Sequence, residues 1–315
     1  MKSKFSLAAL VLAAITATTY FVPGAMPAGL LEASFNVERA RHGVSRETLS
    51  VNGRDWVYLD SHPQGCGDCE VILAFHGFTA DKDNWMRFAK GLVNDYRLIA
   101  PDLPGFGETS RIAGEKYTLA LQAQRVKELL NALDIQRVHV TGNSMGGHLT
   151  AIYTHLYPQD VLSMGLMDAA GVTEPVKSLQ TLAFERRESP QVTRGFEEYE
   201  AMLKMVSEQE PFIPLPAKRY FANIATTNAD HYQIILDDLL ADDSSRLEPY
   251  LPYIQQPTLI MWGRQDRSLD VSSVAVFEQL LPNAQSHIFE NTGHLPMVER
   301  PAESAAIYRA FLQSL

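Results

Sequence analysis

The stretch "VHVTGNSMGGHLTAIYTHLYP", residues 138–158, decides the fold because a strand pattern turns into a helix pattern within it. Apolar and β-branched residues run up to Gly142, and a helical pattern starts directly after Met145. Between them stands Ser144, in the pattern G-x-S-x-G. A sharp strand-to-helix turn strains the serine backbone and leaves no room for side chains two positions away on either side. The pattern predicts an exposed serine hydroxyl and makes Ser144 a candidate nucleophile; the alternative is a packing turn that tolerates glycine.

Short apolar runs alternate with helical patterns on both sides of this stretch. A hairpin is predicted over residues 47–60 because strand alternation flanks Asn52-Gly53. Buried parallel strands are predicted in the runs 70–77, 96–105, 138–142, 161–171, 257–266 and 286–294. Helices are predicted at 83–94, 118–134 and 145–157. This order of elements predicts an α/β fold with a mostly parallel, doubly wound sheet.

The alternation fails between residues 173 and 250, where the sequence is helical and carries many Glu, Met, Phe and Pro residues. We therefore predict a helical cap at 173–250, inserted into a core formed by residues 46–172 and 251–315. Residues 24–45 are predicted to form a linker with a short amphipathic helix. The net charge of −10 argues against a general nucleic-acid binder, which would present a basic face.

The pattern of the N-terminal residues predicts a membrane anchor or an export signal. Lys2 and Lys4 precede residues 5–22, which carry no charge, and no Ala-x-Ala cleavage pattern occurs in residues 1–40. These features favour an uncleaved anchor at residues 1–23 over a cleaved signal. The lysines predict a cytoplasmic N-terminus, and therefore an inner-membrane protein that faces the periplasm. A cleaved signal would instead give an exported, periplasmic protein.

Two cysteines, Cys66 and Cys69, occur as "CGDC" before a strand pattern. A zinc site would need a second cysteine pair, and a thioredoxin-type motif would need a helix after the first cysteine. The pair is therefore predicted to close a small turn, as a disulfide in an exported protein.

A serine nucleophile needs a base, and that base needs a carboxylate. His294, in "ENTGHLPMVERP" after the last predicted strand, is the candidate base. Asp266, in "MWGRQDRSLD", follows Ser144 and precedes His294. Asp168, at the end of the strand after the nucleophile helix, is its rival, and we favour Asp266. His148 lies on the nucleophile helix itself and is expected to serve packing.

The backbone N–H groups of Phe78 and Met145 are the predicted donors to an oxyanion. Phe78 lies in "FHGFTADKDNW", after the third predicted strand, where His76 is expected to shape the loop and not to act as a second base. The histidines show no H-E-x-x-H or other clustered ligand spacing, so neither a catalytic metal nor a cofactor is predicted.

Five motifs within residues 75–301 carry a family resemblance: "HGFTADKDNW", "PDLPGFGETS", "GNSMGG", "WGRQD" and "NTGHLPMVERP". With them the chain resembles an α/β-hydrolase, and is most similar to the monoacylglycerol lipase and esterase branch. The resemblance implies Ser144 as nucleophile, Asp266 as acid and His294 as base. It also implies cofactor-free hydrolysis of monoacylglycerols or other medium-chain acyl esters. The chain departs from the family in its cysteine pair and its divergent cap.

Two alternative functions remain open at this point. Some relatives that hydrolyse the C–C bond of ring-cleavage products also carry "GNSMGG". A catalytically silent binding protein on the same fold is the other possibility. Dehalogenases and epoxide hydrolases of this fold use an Asp nucleophile, and the serine at position 144 speaks against both.

Overall fold

A computed structural model of the chain describes residues 28–242 and 246–315, and an eight-stranded sheet forms its centre. The strands are β1 (Ser45–Val51), β2 (Arg54–Asp60), β3 (Val71–Phe75), β4 (Arg97–Pro101), β5 (Val138–Asn143), β6 (Val161–Met167), β7 (Thr258–Gly263) and β8 (Ala284–Phe289). Their order across the sheet is β1-β2-β4-β3-β5-β6-β7-β8. The pairs β1–β2 and β2–β4 are antiparallel and all others are parallel. The predicted N-terminal segment, residues 1–23, lies outside the described residues.

Helices cover both faces of the sheet. They are α1 (Ala28–Arg41), α2 (Met86–Ala89), α3 (Leu119–Ala132), α4 (Met145–Leu156), α5 (Leu179–Glu185), α6 (Phe196–Val206), α7 (Leu215–Thr227), α8 (Ala229–Leu240), α9 (Ser273–Leu280), α10 (Pro296–Glu299) and α11 (Pro301–Leu312). Short 3₁₀ turns occupy Lys82–Trp85 and Leu251–Tyr253. The helices α5 to α8 lie between β6 and β7 and form the cap. The predicted α/β fold, with its mostly parallel sheet and inserted helical cap, is confirmed.

No helix within the ranges 28–242 and 246–315 combines the length and the apolar character needed to cross a membrane.

The predicted hairpin is present, and its turn matches the reason for predicting it. Asn52 and Gly53 both adopt positive φ, at 50° and 78°, as a two-residue hairpin turn of type I′ requires. Val51 pairs with Arg54 directly across this turn.

The helix predicted at residues 83–94 is wrong in its length. A 3₁₀ turn and the single turn α2 replace it, and tight backbone bonds from Gly91 to Phe88 and from Leu92 to Ala89 follow. The chain turns here because α11 crosses closely: a Cβ on Gly91 would lie 2.6 Å from the Cβ of Ala305.

The apolar core lies on both faces of the sheet. On one face Val126 of α3 and Leu149 of α4 pack with Val140 of β5. On the other face Phe88 of α2 and Tyr308 of α11 join residues of β3, β4 and β7. The two layers cover both faces of the sheet, and the loops that follow the strands lie at its carboxyl edge.

Helix α1 fills much of residues 24–45, the segment predicted to form a linker with a short amphipathic helix. Its Leu31 is buried with Ala217 of α7, and the rings of Phe35 and Phe221 meet edge to face at 6.0 Å between centroids. The contacts attach α1 to the cap. On another loop, Cys66 and Cys69 form a disulfide.

Candidate active site

Ser144 lies in a strained turn between β5 and α4. Its backbone has φ 57° and ψ −118°, which side-chain-bearing residues rarely adopt. A Cβ on Gly142 would lie 2.1 Å from the carbonyl oxygen of Gly146, and one on Gly146 would lie 2.2 Å from that of Phe75. Both distances are impossible for real atoms, so the turn can form only with glycine at these two positions.

Asp266 and His294 form a hydrogen-bonded pair. Nδ1 of His294 lies 2.6 Å from Oδ2 of Asp266, and both side chains are buried. The other carboxylate oxygen, Oδ1, accepts the backbone N–H groups of Ser268 (2.7 Å) and Leu269 (3.1 Å). Three donors stabilise the charged carboxylate, which in turn makes Nδ1 the protonated nitrogen of the imidazole. Nε2 of His294 is buried and has no hydrogen-bond partner in the described part of the chain, so it is available to take a proton.

Asn143 joins the serine turn to the histidine loop. Its side-chain Nδ2 donates to the carbonyl oxygen of His294 (2.9 Å) and to that of Met167 (3.2 Å). Asn143 directly precedes Ser144, so its bond to His294 fixes the histidine loop beside the serine. The variable position of G-x-S-x-G gave no hint of this role in the sequence.

Asp168, the rival acid, lies beside the pair without a hydrogen bond to His294. Its Oδ1 accepts the backbone N–H of Gly263 at 2.9 Å. One polar atom from each of Asp168, Asp266 and His294 lies within 4.8 Å of the other two. Burial, followed by the charge of Asp266, raises the pKa of Asp168 well above its ordinary value. Of the two candidates, only Asp266 contacts the imidazole as a triad acid does.

The loop after β3 approaches the serine closely. A Cβ on Gly77 would lie 3.3 Å from the Cβ of Ser144. The backbone N–H groups of Phe78 and Met145 donate no hydrogen bond within residues 28–242 and 246–315, so both remain free to bind an oxyanion. His76 uses both ring nitrogens: Nδ1 donates to the carbonyl oxygen of Gly77 (2.8 Å), and Nε2 accepts the N–H of Leu103 (3.0 Å). Its burial lowers its pKa to about 4, so it is a neutral structural residue.

A buried ionic network supports this loop. Asp102 accepts the backbone N–H and the ammonium of Lys82, at 2.8 and 3.0 Å. A Cβ on Gly107 would lie 2.2 Å from the Asp102 carboxyl carbon, which explains the second glycine of "PGFG". Arg39 of α1 binds both carboxylate oxygens of Asp83, at 2.7 and 2.6 Å. Sequence reasoning missed this network because its members come from three separate segments.

The cap is bonded to the histidine loop. The N–H of His294 donates to the carbonyl oxygen of Val206, at the end of α6, at 2.9 Å. Glu299 accepts the backbone N–H groups of Glu208 (3.0 Å) and Gln209 (2.7 Å) with one oxygen and that of Gly293 (3.0 Å) with the other. The position of the imidazole therefore depends on the end of this cap helix.

A cavity of about 450 Å³ lies between α1, the cap and the loop after β3. It touches the loop at Thr79 and Ala80, and it touches Leu295, the neighbour of His294. Its apolar lining includes Leu31, Phe35, Leu203, Phe212, Ile213 and Phe221. Asp81 also lines it, and burial, followed by the charges of Asp83 and Asp102, raises the pKa of Asp81 to about 6.

Comparison with known proteins gives consistent relatives. The family model for the alpha/beta hydrolase fold matches residues 70–301. Lipase 1 of Psychrobacter immobilis is 32% identical over 92% of this chain and 90% of its own length. Monoacylglycerol lipase ABHD6 of Mus musculus is 29% identical over 86% of this chain and 85% of its own length.

Solved structures agree with these relatives. The crystal structure of a membrane phospholipase A is 41% identical, with a TM-score of 0.87, over 97% of this chain and 96% of that one. A meta-cleavage product hydrolase matches at 22% identity and a TM-score of 0.73, over 85% of this chain and 98% of that one; this likeness shows the fold alone. The chain therefore belongs to the α/β-hydrolase family, is similar to its lipases and monoacylglycerol lipases, and is a carboxylic ester hydrolase of the lipase and esterase type.

Proposed function

We propose that the chain hydrolyses acyl esters through Ser144, His294 and Asp266, with a covalent acyl-enzyme. The observation that carries this proposal is the 2.6 Å hydrogen bond between Asp266 and His294, held beside the strained turn of Ser144. A serine, an imidazole and a carboxylate in this relation are the parts of a catalytic triad.

In the proposed reaction, His294 carries a proton between Ser144 and the leaving alcohol. Nε2 of His294 takes the proton of the Ser144 hydroxyl as Oγ attacks the ester carbonyl carbon. The backbone N–H groups of Phe78 and Met145 stabilise the negative charge on the tetrahedral intermediate. The alcohol leaves with the proton from His294, and water then hydrolyses the acyl-enzyme by the same route. Asp266 stabilises the imidazolium that forms in each half of the reaction.

The substrate class is an ester with an apolar acyl chain, such as a monoacylglycerol or another medium-chain acyl ester. Support comes from the apolar cavity of about 450 Å³, which is lined by Thr79 of the proposed oxyanion loop and by Leu295, the residue after the proposed base. An acyl chain that enters the cavity removes both its own apolar surface and that of the cavity lining from water. The relatives named lipase and monoacylglycerol lipase support the same class.

Two substitutions on helix α7 test whether the cavity holds the acyl chain. Ala225 of α7 lines it, whereas Thr226 on the same helix is exposed and does not. We expect Ala225→Phe to shift the preference toward shorter acyl chains, measured as kcat/KM over p-nitrophenyl esters and monoacylglycerols of graded length. Thr226→Phe is the matched control and should keep the wild-type profile. An unchanged profile in Ala225→Phe would place the acyl chain elsewhere.

Membrane association is the second part of the proposal. Residues 5–22 anchor the chain in the inner membrane with the enzyme on the periplasmic side, or direct its export if they are cleaved. Three observations support it: the uncharged sequence of residues 5–22, the Cys66–Cys69 disulfide, which suits an oxidising compartment, and the position of α1 at the cavity. Phe212 in the cavity lining is 92% exposed, and Leu215 and Ile224 nearby are also exposed.

Cell fractionation tests the anchor. The full chain should sediment with membranes and resist carbonate extraction. A mature soluble form that begins near residue 25 would show instead that residues 1–23 are a cleaved signal.

No specific observation favours the alternative hypothesis of a C–C bond hydrolase. The meta-cleavage product hydrolase that matches this chain is 22% identical, and that likeness shows the fold alone. Turnover of a dienoate ring-cleavage product, with no turnover of esters, would support it over the present proposal. A silent binding protein is not supported, since the chain belongs with named lipases.

A further inference from the structure

Two buried carboxyl groups, those of Asp168 and Asp266, lie side by side behind His294. Asp168 is fully buried and Asp266 nearly so. One oxygen of each carboxyl group and one ring nitrogen of His294 all lie within 4.8 Å of one another. Two carboxylates this close, away from water, cannot both stay ionised at moderate pH.

The hydrogen-bond donors around each group show which one carries the charge. Asp266 accepts three hydrogen bonds, from Ser268, Leu269 and His294. Asp168 accepts one, from the N–H of Gly263, and its Oδ2 has no partner among the described residues. A buried carboxylate oxygen without a donor is costly, whereas a protonated one can itself donate.

The charged groups that face Asp168 also favour its protonated form. They are the carboxylates of Asp266 and Glu299; His294, the other titratable group beside Asp168, binds Asp266 through Nδ1. Burial and the charge of Asp266 are the main causes that raise the pKa of Asp168. Asp168 is therefore the member of the pair that holds the proton.

The backbone at Asp168 is arranged to keep the side chain in this place. Its φ is +45°, a left-handed conformation that costs energy in a residue other than glycine. The hydrogen bond from its N–H to the carbonyl oxygen of Met261, at 2.9 Å, holds it there. Strain of this kind persists where the surrounding structure fixes a functional geometry.

We propose that Asp168 is a neutral carboxylic acid that donates a hydrogen bond to Asp266 and thereby positions the Asp266–His294 pair. The inference rests on the proposed triad for its meaning, but the protonation state can be measured without catalysis. No proton leaves Asp168 during turnover; its O–H holds the Asp266 carboxylate in place while His294 gains and loses its proton.

Infrared difference spectroscopy tests the protonation state directly. We expect the wild-type spectrum at pH 8, minus that of Asp168→Asn, to contain the C=O stretch of a protonated carboxyl that shifts in D₂O. Carboxylate bands in its place would show that Asp168 is ionised and would overturn the proposal. The result does not depend on ester turnover, so it stands even if the proposed function fails.

Kinetics test the positioning role. Asp168→Asn can still accept from Gly263 and donate to Asp266, so kcat should stay within about threefold of wild type. On the acid side of the pH profile, kcat/KM of Asp168→Asn should fall at the same pH as that of the wild type, because one neutral group replaces another. Asp168→Leu removes the donor and should lower kcat by about tenfold with little change in KM.

Two outcomes would contradict this role. One is an equal loss of kcat in Asp168→Asn and Asp168→Leu. The other is a shift of about one pH unit in the acid limb of Asp168→Asn, which would mean that a charge had been removed. If Asp168→Leu does not fold, the infrared result and the Asp168→Asn profile still decide.

Discussion

Replacement of Asp266 by Asn is the change whose effect the hydrogen bonds of the site specify most fully. The N–H groups of Ser268 and Leu269 both donate to Oδ1, so the asparagine must keep its carbonyl oxygen at that position. Its NH₂ group then faces Nδ1 of His294, where the carboxylate oxygen lay at 2.6 Å. A donor there forces Nδ1 to become an acceptor and moves the ring proton to Nε2.

An imidazole that carries its proton on Nε2 cannot accept one from Ser144. We therefore expect Asp266→Asn to lower kcat by about 10⁴-fold, as in the triad precedent, with little loss of folding stability because the shape is kept. The assay is steady-state hydrolysis of a p-nitrophenyl ester, with circular dichroism as the check on folding. Asp168→Asn is the matched control and should lose less than about tenfold. A larger loss in Asp168→Asn than in Asp266→Asn would refute the reasoning and transfer the acid role to Asp168.

Three further predictions follow from the support of the site. Arg39→Ala breaks a buried ion pair and should lower the free energy of unfolding by about 3 kcal/mol in urea titration. Arg186→Ala, at an exposed pair, should leave the free energy of unfolding unchanged within error, and equal losses in the two variants would contradict the role of α1 in supporting the loop after β3. Gly146→Ala should prevent folding because its Cβ would lie 2.2 Å from a carbonyl oxygen, while Gly195→Ala meets no atom within 4 Å and should fold and turn over ester normally; a folded, active Gly146→Ala would disprove the turn geometry. The pKa of Asp81 is raised to about 6 from 3.8, so the native state binds its proton more tightly than the unfolded chain does, and Tm should fall as pH rises through this window. The Asp81→Asn variant should not show this fall in Tm with rising pH. If the Tm of both proteins changed with pH in the same way, Asp81 would not be the cause of the fall.

The sheet and the turn at Ser144 were predictable because local rules dictate them. Asn52-Gly53 specifies a hairpin of one type, and G-x-S-x-G specifies a turn that no other residues at the two glycine positions can form. Apolar runs locate buried strands for the same reason, although they overestimate strand length, since the runs continue into loops at the carboxyl edge.

The support of the site was not predictable, because it depends on contacts between distant segments. Arg39 meets Asp83, and Asn143 meets His294, across separations that no sequence period encodes. The same holds for the role of Asp168. Its place in sequence made it a candidate acid, and only the spatial distribution of donors distinguishes a neutral partner of Asp266 from the acid itself.

Covalent labelling by a fluorophosphonate probe tests the central claim, that Ser144 is an activated nucleophile, most directly. Mass spectrometry of the digested protein should locate the phosphonyl group on Ser144 of the wild type. The Ser144→Ala variant should remain folded, take up no label and lose turnover by roughly 10⁴-fold or more. Absence of label on the folded wild type, or equal labelling of Ser144→Ala, would contradict the account.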